Sequence, residues 1–368
     1  MPLVQNRRVT RQIQVGNCPV GSDFPISVQS MTNTPTRDVA ATCRQIHSLE
    51  NAGCQMIRVA VPYMDDAQAV KNIVDQIHIP LIADIHFDHR LALAAAEAGA
   101  SALRINPGNI GSMKKIRRVV DCAKAHHIPI RIGVNGGSLE KDIEKKHGAT
   151  AQGMVQSALS NIRILEDLGF YDIKVSLKAS DVERTVAAYE MLAPLTDVPF
   201  HIGVTEAGGL FAGITKSAMG IGMILAKGIG DTIRVSLTRD PVEEVRVGYE
   251  ILRALGLPAR GPEIISCPTC GRCQIELFDI ARQAEKELRK RSCSLKIAIM
   301  GCSVNGPGEA KEADIGIAGG RESGIVFSRG KVLKKVPQEK LLEALLSEVD
   351  KMEAEKTSSK DFESFKAP

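Results

Sequence analysis

Nine cysteines stand in the 368 residues, and five of them fall between Cys267 and Cys302. Three open this group as Cys267-Pro-Thr-Cys270-Gly-Arg-Cys273, and Cys302 sits in the run Gly301-Cys302-Ser-Val-Asn305-Gly-Pro-Gly-Glu309. A C-x-x-C pair with a distant partner in a glycine-rich loop points to metal or redox chemistry rather than to disulfides. Zinc would take four Cys or His ligands. No His follows His201, so Cys273 or Cys293 would have to complete such a set. Three thiolates on a 4Fe-4S cluster leave one iron open or weakly held, as Lewis-acid and redox chemistry on a substrate oxygen requires. Glu309, seven residues past Cys302, is a candidate weak ligand. Bacterial ferredoxin spacing would put the fourth Cys at 277, which is Leu277, and the radical-SAM spacing C-x-x-x-C-x-x-C is absent. The scattered Cys18, Cys43, Cys54 and Cys122 read as small buried hydrophobes.

A second set of residues is cationic and recurrent. A helical stretch ends at Gly, and a β-rich run with one basic residue in its middle follows. The units are LENAGCQMIRVAV with Arg58, AAAEAGASALRIN with Arg104, LEDLGFYDIKVSL with Lys174 and LAKGIGDTIRVSL with Arg234. PIRIGVN carries Arg131 without the preceding Gly. Gly ends a helix because it accepts left-handed backbone, and the β-branched run favours a strand. If Arg58, Arg104, Arg131, Lys178 and Arg234 converge on one mouth, a polyanion is needed to neutralise them, and Arg matches phosphate oxygens bidentately. A substrate with more than one phosphate charge is therefore expected. Lys174, Ser176 and Lys178 alternate onto one side of their strand, so spacing does not choose between the two lysines.

Such residues need a scaffold that gathers strand ends. Strands are expected near Ile26–Ser30, Met56–Ala60, Leu81–Ile85, Ala102–Asn106, Ile128–Val134, Ile173–Leu177, Phe200–Val204 and Thr232–Leu237. Helical spacing relates Val39, Cys43, Ile46 and Leu49 in Thr36–Asn51, and Met154, Ala158, Ile162 and Leu165 in Ala151–Leu168. Eight βα units in about 250 residues match a (β/α)8 TIM barrel, with its active site at the C-terminal strand ends. A doubly wound sheet would carry a glycine-rich dinucleotide turn after its first strand, and none stands there. The expected strand ends gather Gln29, Ser30 and Met31, then Asp84 and His86, Arg104 and Asn106, and Arg131 and Asn135. Ser176 and Lys178, then His201, Thr205 and Glu206, then Arg234 and Ser236 continue the series. The stretch from Asn135 to Gly148 reads either as a lid on the catalytic side or as a solvated loop.

Leu257-Pro258 and Gly261-Pro262 mark a boundary. The barrel is expected over 1–262, a small α+β iron–sulfur domain over 263–353 and a polar tail over 354–368. The small domain holds the cysteine turn, a helix near Gln274–Arg291, strands at Leu295–Met300, Asp314–Ala318 and Gly324–Phe327, and a helix from about Gln338. A hydrophobic share of 44% and a charged share of 24% exclude a disordered or fibrous chain. A net charge of +4, no Trp and four Tyr give no nucleic-acid surface. No apolar run reaches the roughly 18 residues that would cross a bilayer. The start MPLVQNRRVTRQ lacks the apolar core of a signal peptide, so a cytoplasmic location without a membrane partner is expected.

Together, ISCPTC, GCSVNGPGE, VTEAG, RINPGNIG, IRIGVN, VSLKAS and DTIRVSL resemble the 4-hydroxy-3-methylbut-2-enyl diphosphate synthase family over about residues 4 to 340. These are iron–sulfur enzymes of the non-mevalonate isoprenoid pathway, and the short bacterial form is the one resembled. The resemblance implies two-electron reductive ring opening and dehydration of 2-C-methyl-D-erythritol 2,4-cyclodiphosphate at a 4Fe-4S cluster. It implies cluster ligands at Cys267, Cys270, Cys302 and Glu309, with Glu309 yielding to a substrate oxygen. It gives the diphosphate to Arg58, Arg104, Arg131, Asn135, Lys178 and Ser236, which chooses Lys178 over Lys174. Asp84, His86, Asn106 and Arg234 complete the substrate-binding candidates, and Glu206 becomes the acid/base. The resemblance also implies a homodimer with the cluster domain of one subunit over the barrel of its partner. A barrel like that of dihydropteroate synthase and a flavodoxin or ferredoxin electron donor come with it. Cys273 stands outside the family pattern, and as an iron ligand it would displace Glu309 from that role.

Three other readings compete. One is a zinc-stabilised TIM-barrel enzyme acting on a phosphorylated or pterin-type substrate. Another is a non-catalytic cluster carrier, against which the convergent arginines speak. The third is a metal site at His86, Asp88 and His89.

Overall fold

The computed structural model describes residues 3–291, 293–302 and 310–364. Strands β1 (Ile13–Val15) and β2 (Cys18–Val20) form an antiparallel hairpin. Eight strands follow: β3 (Ser27–Met31), β4 (Met56–Ala60), β5 (Leu81–Asp84) and β6 (Ala102–Ile105). Then come β7 (Ile130–Asn135), β8 (Ile173–Lys178), β9 (His201–Ile202) and β10 (Thr232–Ile233). They pair in the order β8-β7-β6-β5-β4-β3-β10-β9, and every pair is parallel. A parallel bridge from Val175 to Phe200 joins the two ends of that order and closes the barrel. Each of the eight expected strands is present, β9 and β10 being cut to two residues.

Local chemistry sets the punctuation. Asp38, Asp88, Thr150, Asp181 and Asp240 each accept a hydrogen bond from a first-turn N–H of the helix they precede. Such caps contribute about 1 kcal/mol apiece. Gly53, Gly99, Gly169 and Gly230, the helix-to-strand glycines of the repeat, have φ of 97°, 98°, 67° and 121°. A side chain there would be strained. The hairpin packs Ile13, Val15 and Val20 against Met56, Ile82 and Ala102, near the strand starts. That plugs the end opposite the polar strand ends. Of the scattered cysteines, Cys43 and Cys54 are buried while Cys18 and Cys122 are half-buried.

By its internal contacts the chain divides after Pro258, ahead of the expected 262. The second unit is a mixed five-stranded sheet. Its strands are β11 (Glu263–Ser266), β12 (Lys296–Met300), β13 (Ile315–Ala318), β14 (Ser323–Ser328) and β15 (Lys331–Pro337), in sequential order. The first three run parallel and the last two antiparallel. Ile297, Ile299, Ile315, Ile317 and Val326 pack under Leu277, Ala284 and Leu288 of helix Leu277–Leu288 and under Leu341, Leu345 and Val349 of the final helix. That last helix runs Leu341–Ser364, past 354, where the polar tail was expected to begin.

Candidate active site

Asp84, at the end of β5, is the hub of the barrel mouth. Its Oδ1 accepts from Arg104 Nη1 at 2.9 Å, while its Oδ2 lies 3.7 Å from Arg58 Nε and 3.6 Å from His86 Nε2. Arg104 Nη1 is also 3.0 Å from His86 Nε2. Strand register explains the meeting, because Asp84 stands level with Arg104, and Arg104 with Arg131. The Arg58 guanidinium also reaches Met31 Sδ, at 3.1 Å from Nε and 2.8 Å from Nη2. Arg234, just past β10, lies 3.4 Å from Glu244 Oε2 on helix Pro241–Ala254. The same carboxylate accepts from the Leu237 backbone at 2.9 Å and from Ser30 Oγ at 3.4 Å.

The balance of charge is lopsided. Arg58, Arg104, Arg131, Lys178 and Arg234 gather with two carboxylates, Asp84 and Glu244. Arg131 is 2% exposed, and its Nε and Nη1 have no protein partner among the described residues. Nε of Arg104 and Nε of Arg234 are in the same condition. Each buried donor left so costs roughly 1–3 kcal/mol, a cost that an acceptor-rich ligand would remove. Burial alone would push the Asp84 carboxyl up, but Arg58, the His86 hydrogen bond, Arg104 and Arg131 hold it far below the usual carboxylate range. Burial draws Arg58 down to about 10 against the pull of Asp84. Burial, reinforced by the neighbouring cations, carries Arg131 and Lys178 well below their ordinary values. A bound anion would reverse that trend, since opposite charge favours the protonated forms.

Two glycines make the space. A Cβ at Gly133 would lie 2.3 Å from Arg104 Nε, and one at Gly203 would lie 3.2 Å from Lys178 Nζ and 2.3 Å from the Arg234 carbonyl oxygen. Lys178 pairs in register with Asn135 at the C-terminal end of β8, whereas Lys174 stands level with Arg131, nearer the plugged end. A cavity of about 410 Å³ opens beside Met31, Arg234 and Glu244.

The remaining candidates are placed differently. The Asn106 side chain accepts from the Gly108 backbone at 3.1 Å and so caps the short helix Pro107–Ile110. Asn135 and Ser236 are half-buried at their strand ends. Glu206 is exposed between β9 and helix Leu210–Ala226, and its φ of 51° is left-handed, which is costly for a residue with a side chain. The 135–148 stretch contains helix Lys141–His147, and Ser157 Oγ (2.6 Å) and Asn161 Nδ2 (2.9 Å) hold the Glu140 carboxylate at its start. His86, Asp88 and His89 do not form a metal-binding group. Asp88 caps its helix and pairs with Arg90, and His89 Nε2 lies 3.3 Å from Arg118.

In the second unit, Cys267 follows β11 and Cys302 follows β12, two neighbouring parallel strands, so both thiols leave the same end of the sheet. The Cys267 backbone donates to Ile299 at 3.0 Å, and the Gln274 backbone donates to Gly301 at 2.9 Å. The cysteine turn is thereby stitched to the approach to Cys302. Thr269 turns it with a φ of 64°. Cys302 is buried, Cys267 half-buried and Cys270 exposed. Among the described residues these three sulfurs are not gathered within 4.8 Å of one another. The donors gathered at this end of the sheet are thiols, and no His follows His201 in the sequence, a donor chemistry that iron–sulfur clusters take. Cys273 Sγ lies 3.3 Å from the Ile275 carbonyl and would be 2.7 Å from a Cβ at Gly301. Glu309 lies outside the described residues.

Sequence reasoning placed Met31 at a strand end but did not single out Glu244, Gly133 or Gly203 as site residues. A glycine inside a strand, as in IRIGVN, is the readable sign of a close approach. Glu244 gave no sign, because an acid in an amphipathic helix looks solvent-facing until the packing is known.

The chain matches the family model described as the GcpE TIM-barrel domain over residues 10–249, and the GcpE protein C-terminal domain over 263–351. A protein of Geobacter sulfurreducens named 4-hydroxy-3-methylbut-2-en-1-yl diphosphate synthase (flavodoxin) is 58% identical, covering 94% of this chain and 99% of its own. One of the same name from Desulfotalea psychrophila is 56% identical over 95% and 97%. Among solved structures, dihydropteroate synthase from Xanthomonas albilineans is 14% identical over 67% of this chain and 99% of that chain, with a TM-score of 0.47, a likeness too distant to bear on function. No helix among the described residues is long and apolar enough to cross a membrane. With both family models matched in order and such relatives covered almost end to end, the chain belongs to the GcpE family.

Proposed function

We propose that the chain is a 4-hydroxy-3-methylbut-2-en-1-yl diphosphate synthase, the activity named for its relatives. In this reading it reduces 2-C-methyl-D-erythritol 2,4-cyclodiphosphate by two electrons, opens the ring and releases water. The observation that carries the reading is Arg131, buried beside further cations at a barrel mouth with Nε and Nη1 unpartnered among the described residues. A cyclic diphosphate supplies several phosphate oxygens where those donors need acceptors. Arg58 and Arg104, oriented by Asp84, would present fixed N–H groups to it, and Lys178 would add a point charge. Arg234, Asn135, Ser236, Asn106 and His86 surround the same mouth and are proposed contacts. Glu206 is the proposed acid/base. Its left-handed backbone supports that role, since about 1–3 kcal/mol of local strain persists mainly where function requires it.

Cys267, Cys270, Cys302 and Glu309 are the proposed holders of a 4Fe-4S cluster. When bound, the cluster would supply the electrons and an iron open to a substrate oxygen. A flavodoxin or ferredoxin donor is part of the proposal, and the relatives' names carry the flavodoxin. A homodimer, which rests on the family resemblance, and a cytoplasmic location also belong to it. The test is iron and acid-labile sulfide per chain on protein purified without oxygen. About four of each are expected for a 4Fe-4S centre, whereas zinc without sulfide would overturn the reading.

A further inference from the structure

Away from the barrel mouth and the cysteine turn, one group of side chains has the composition of a metal site. His47 and Glu50 stand three residues apart on helix Val39–Asn51, so they share a face. His78 lies in the segment that leads into β5. Ligand atoms of these three residues all lie within 4.8 Å of one another. We propose that His47, Glu50 and His78 form a site for a divalent transition-metal ion on the outside of the barrel. Two imidazoles and one carboxylate suit ions of the Zn²⁺, Ni²⁺ and Cu²⁺ class, whereas Mg²⁺ and Ca²⁺ select oxygen ligands.

The surroundings hold the ligands in place. Glu50 Oε1 accepts from the backbone N–H of His78 at 2.6 Å and of Ile79 at 3.2 Å. The helix carboxylate is thereby fixed against the incoming segment. Glu50 Oε2 lies 3.1 Å from His78 Nδ1. That separation is the bite of two ligands at about 2.1 Å from one ion, close to a right angle. His47 Nε2 lies 2.9 Å from the carbonyl oxygen of Gln76. A ligating imidazole commonly gives its second N–H to a backbone carbonyl in this way, which leaves the lone pair on the other nitrogen. Three protein ligands leave further coordination positions to water. The ion would tie the last turn of helix Val39–Asn51 to the start of β5, the strand that ends at Asp84. The site lies at the N-terminal end of that strand, apart from the barrel mouth.

The test uses the full chain with its thiols occupied by cluster, dialysed anaerobically against Ni²⁺ at neutral pH. His78 is 83% exposed, so His78→Ala leaves the packing intact. The wild type should bind one more equivalent of Ni²⁺ than His78→Ala or His47→Gln. Its unfolding temperature should rise with Ni²⁺ by a margin that both variants lose. Equal Ni²⁺ counts in the wild type and both variants would overturn the proposal and leave only a hydrogen-bonded surface cluster.

Discussion

Arg104 and Arg131 are cross-strand neighbours on β6 and β7, yet Asp84 answers only one of them. Arg104 Nη1 donates to Asp84 at 2.9 Å, while among the described residues Arg131 Nε and Nη1 have no protein acceptor. The barrel thus holds a paired cation, preset in position, beside an unpaired one. The first fixes geometry, and the second creates the demand for an anion.

Asp84→Asn tests the pairing. The substitution keeps the shape and removes the charge that Arg58 and Arg104 share. Removing one partner of a buried ion pair typically costs about 3–5 kcal/mol. A lowered urea midpoint for the barrel is expected, with a weaker grip on substrate. An unmoved midpoint would show that Asp84 is not the counterion of the mouth.

Gly133→Ala tests the room made for Arg104. The new methyl would fall 2.3 Å from Nε, so the guanidinium must leave its place. KM should rise at least tenfold, with the circular dichroism spectrum unchanged. Gly222, where a Cβ meets nothing within 4 Å, is the control, and Gly222→Ala should leave KM alone. Equal KM values in the two variants would detach Arg104 from substrate binding.

Lys174 predicts a pH dependence. Burial, helped by the charge of Arg131, brings it from 10.5 down to about 7. Between those values the unfolded chain binds more protons at Lys174 than the folded chain, so stability rises with pH there and is lost as pH falls through about 7. Lys174→Met should flatten the rise and raise the unfolding temperature most at neutral pH. Parallel unfolding-temperature curves for the two proteins between neutral pH and about 10 would refute this.

The cysteines separate by role. Cys302→Ala should lose most of the iron and sulfide. Cys273→Ala should keep both, because Cys273 Sγ is engaged with the Ile275 carbonyl. Iron retained in full by Cys302→Ala, or lost from Cys273→Ala, would redraw the ligand set.

Much of this was legible in the chain. The Gly-then-strand repeat located β4, β6, β8 and β10, because left-handed glycines and β-branched runs act locally. Convergence of the cations followed from barrel geometry once eight strands were counted. The hairpin Ile13–Val20 escaped notice, its three-residue strands being too short for periodicity to register. Strand β15, KVLKKVP, hides behind the lysines of an edge strand. The split between Lys174 and Lys178 was invisible because both face inward, and only depth along β8 tells them apart. Glu244 depends on how a helix docks on the barrel, which no local pattern encodes.

The most direct test of the account is turnover. Chain loaded with cluster and reduced with dithionite should convert 2-C-methyl-D-erythritol 2,4-cyclodiphosphate to 4-hydroxy-3-methylbut-2-enyl diphosphate, and Arg131→Ala should raise KM sharply. A fully loaded, reduced chain that yields no such product, or an Arg131→Ala variant with unaltered kcat and KM, would contradict it.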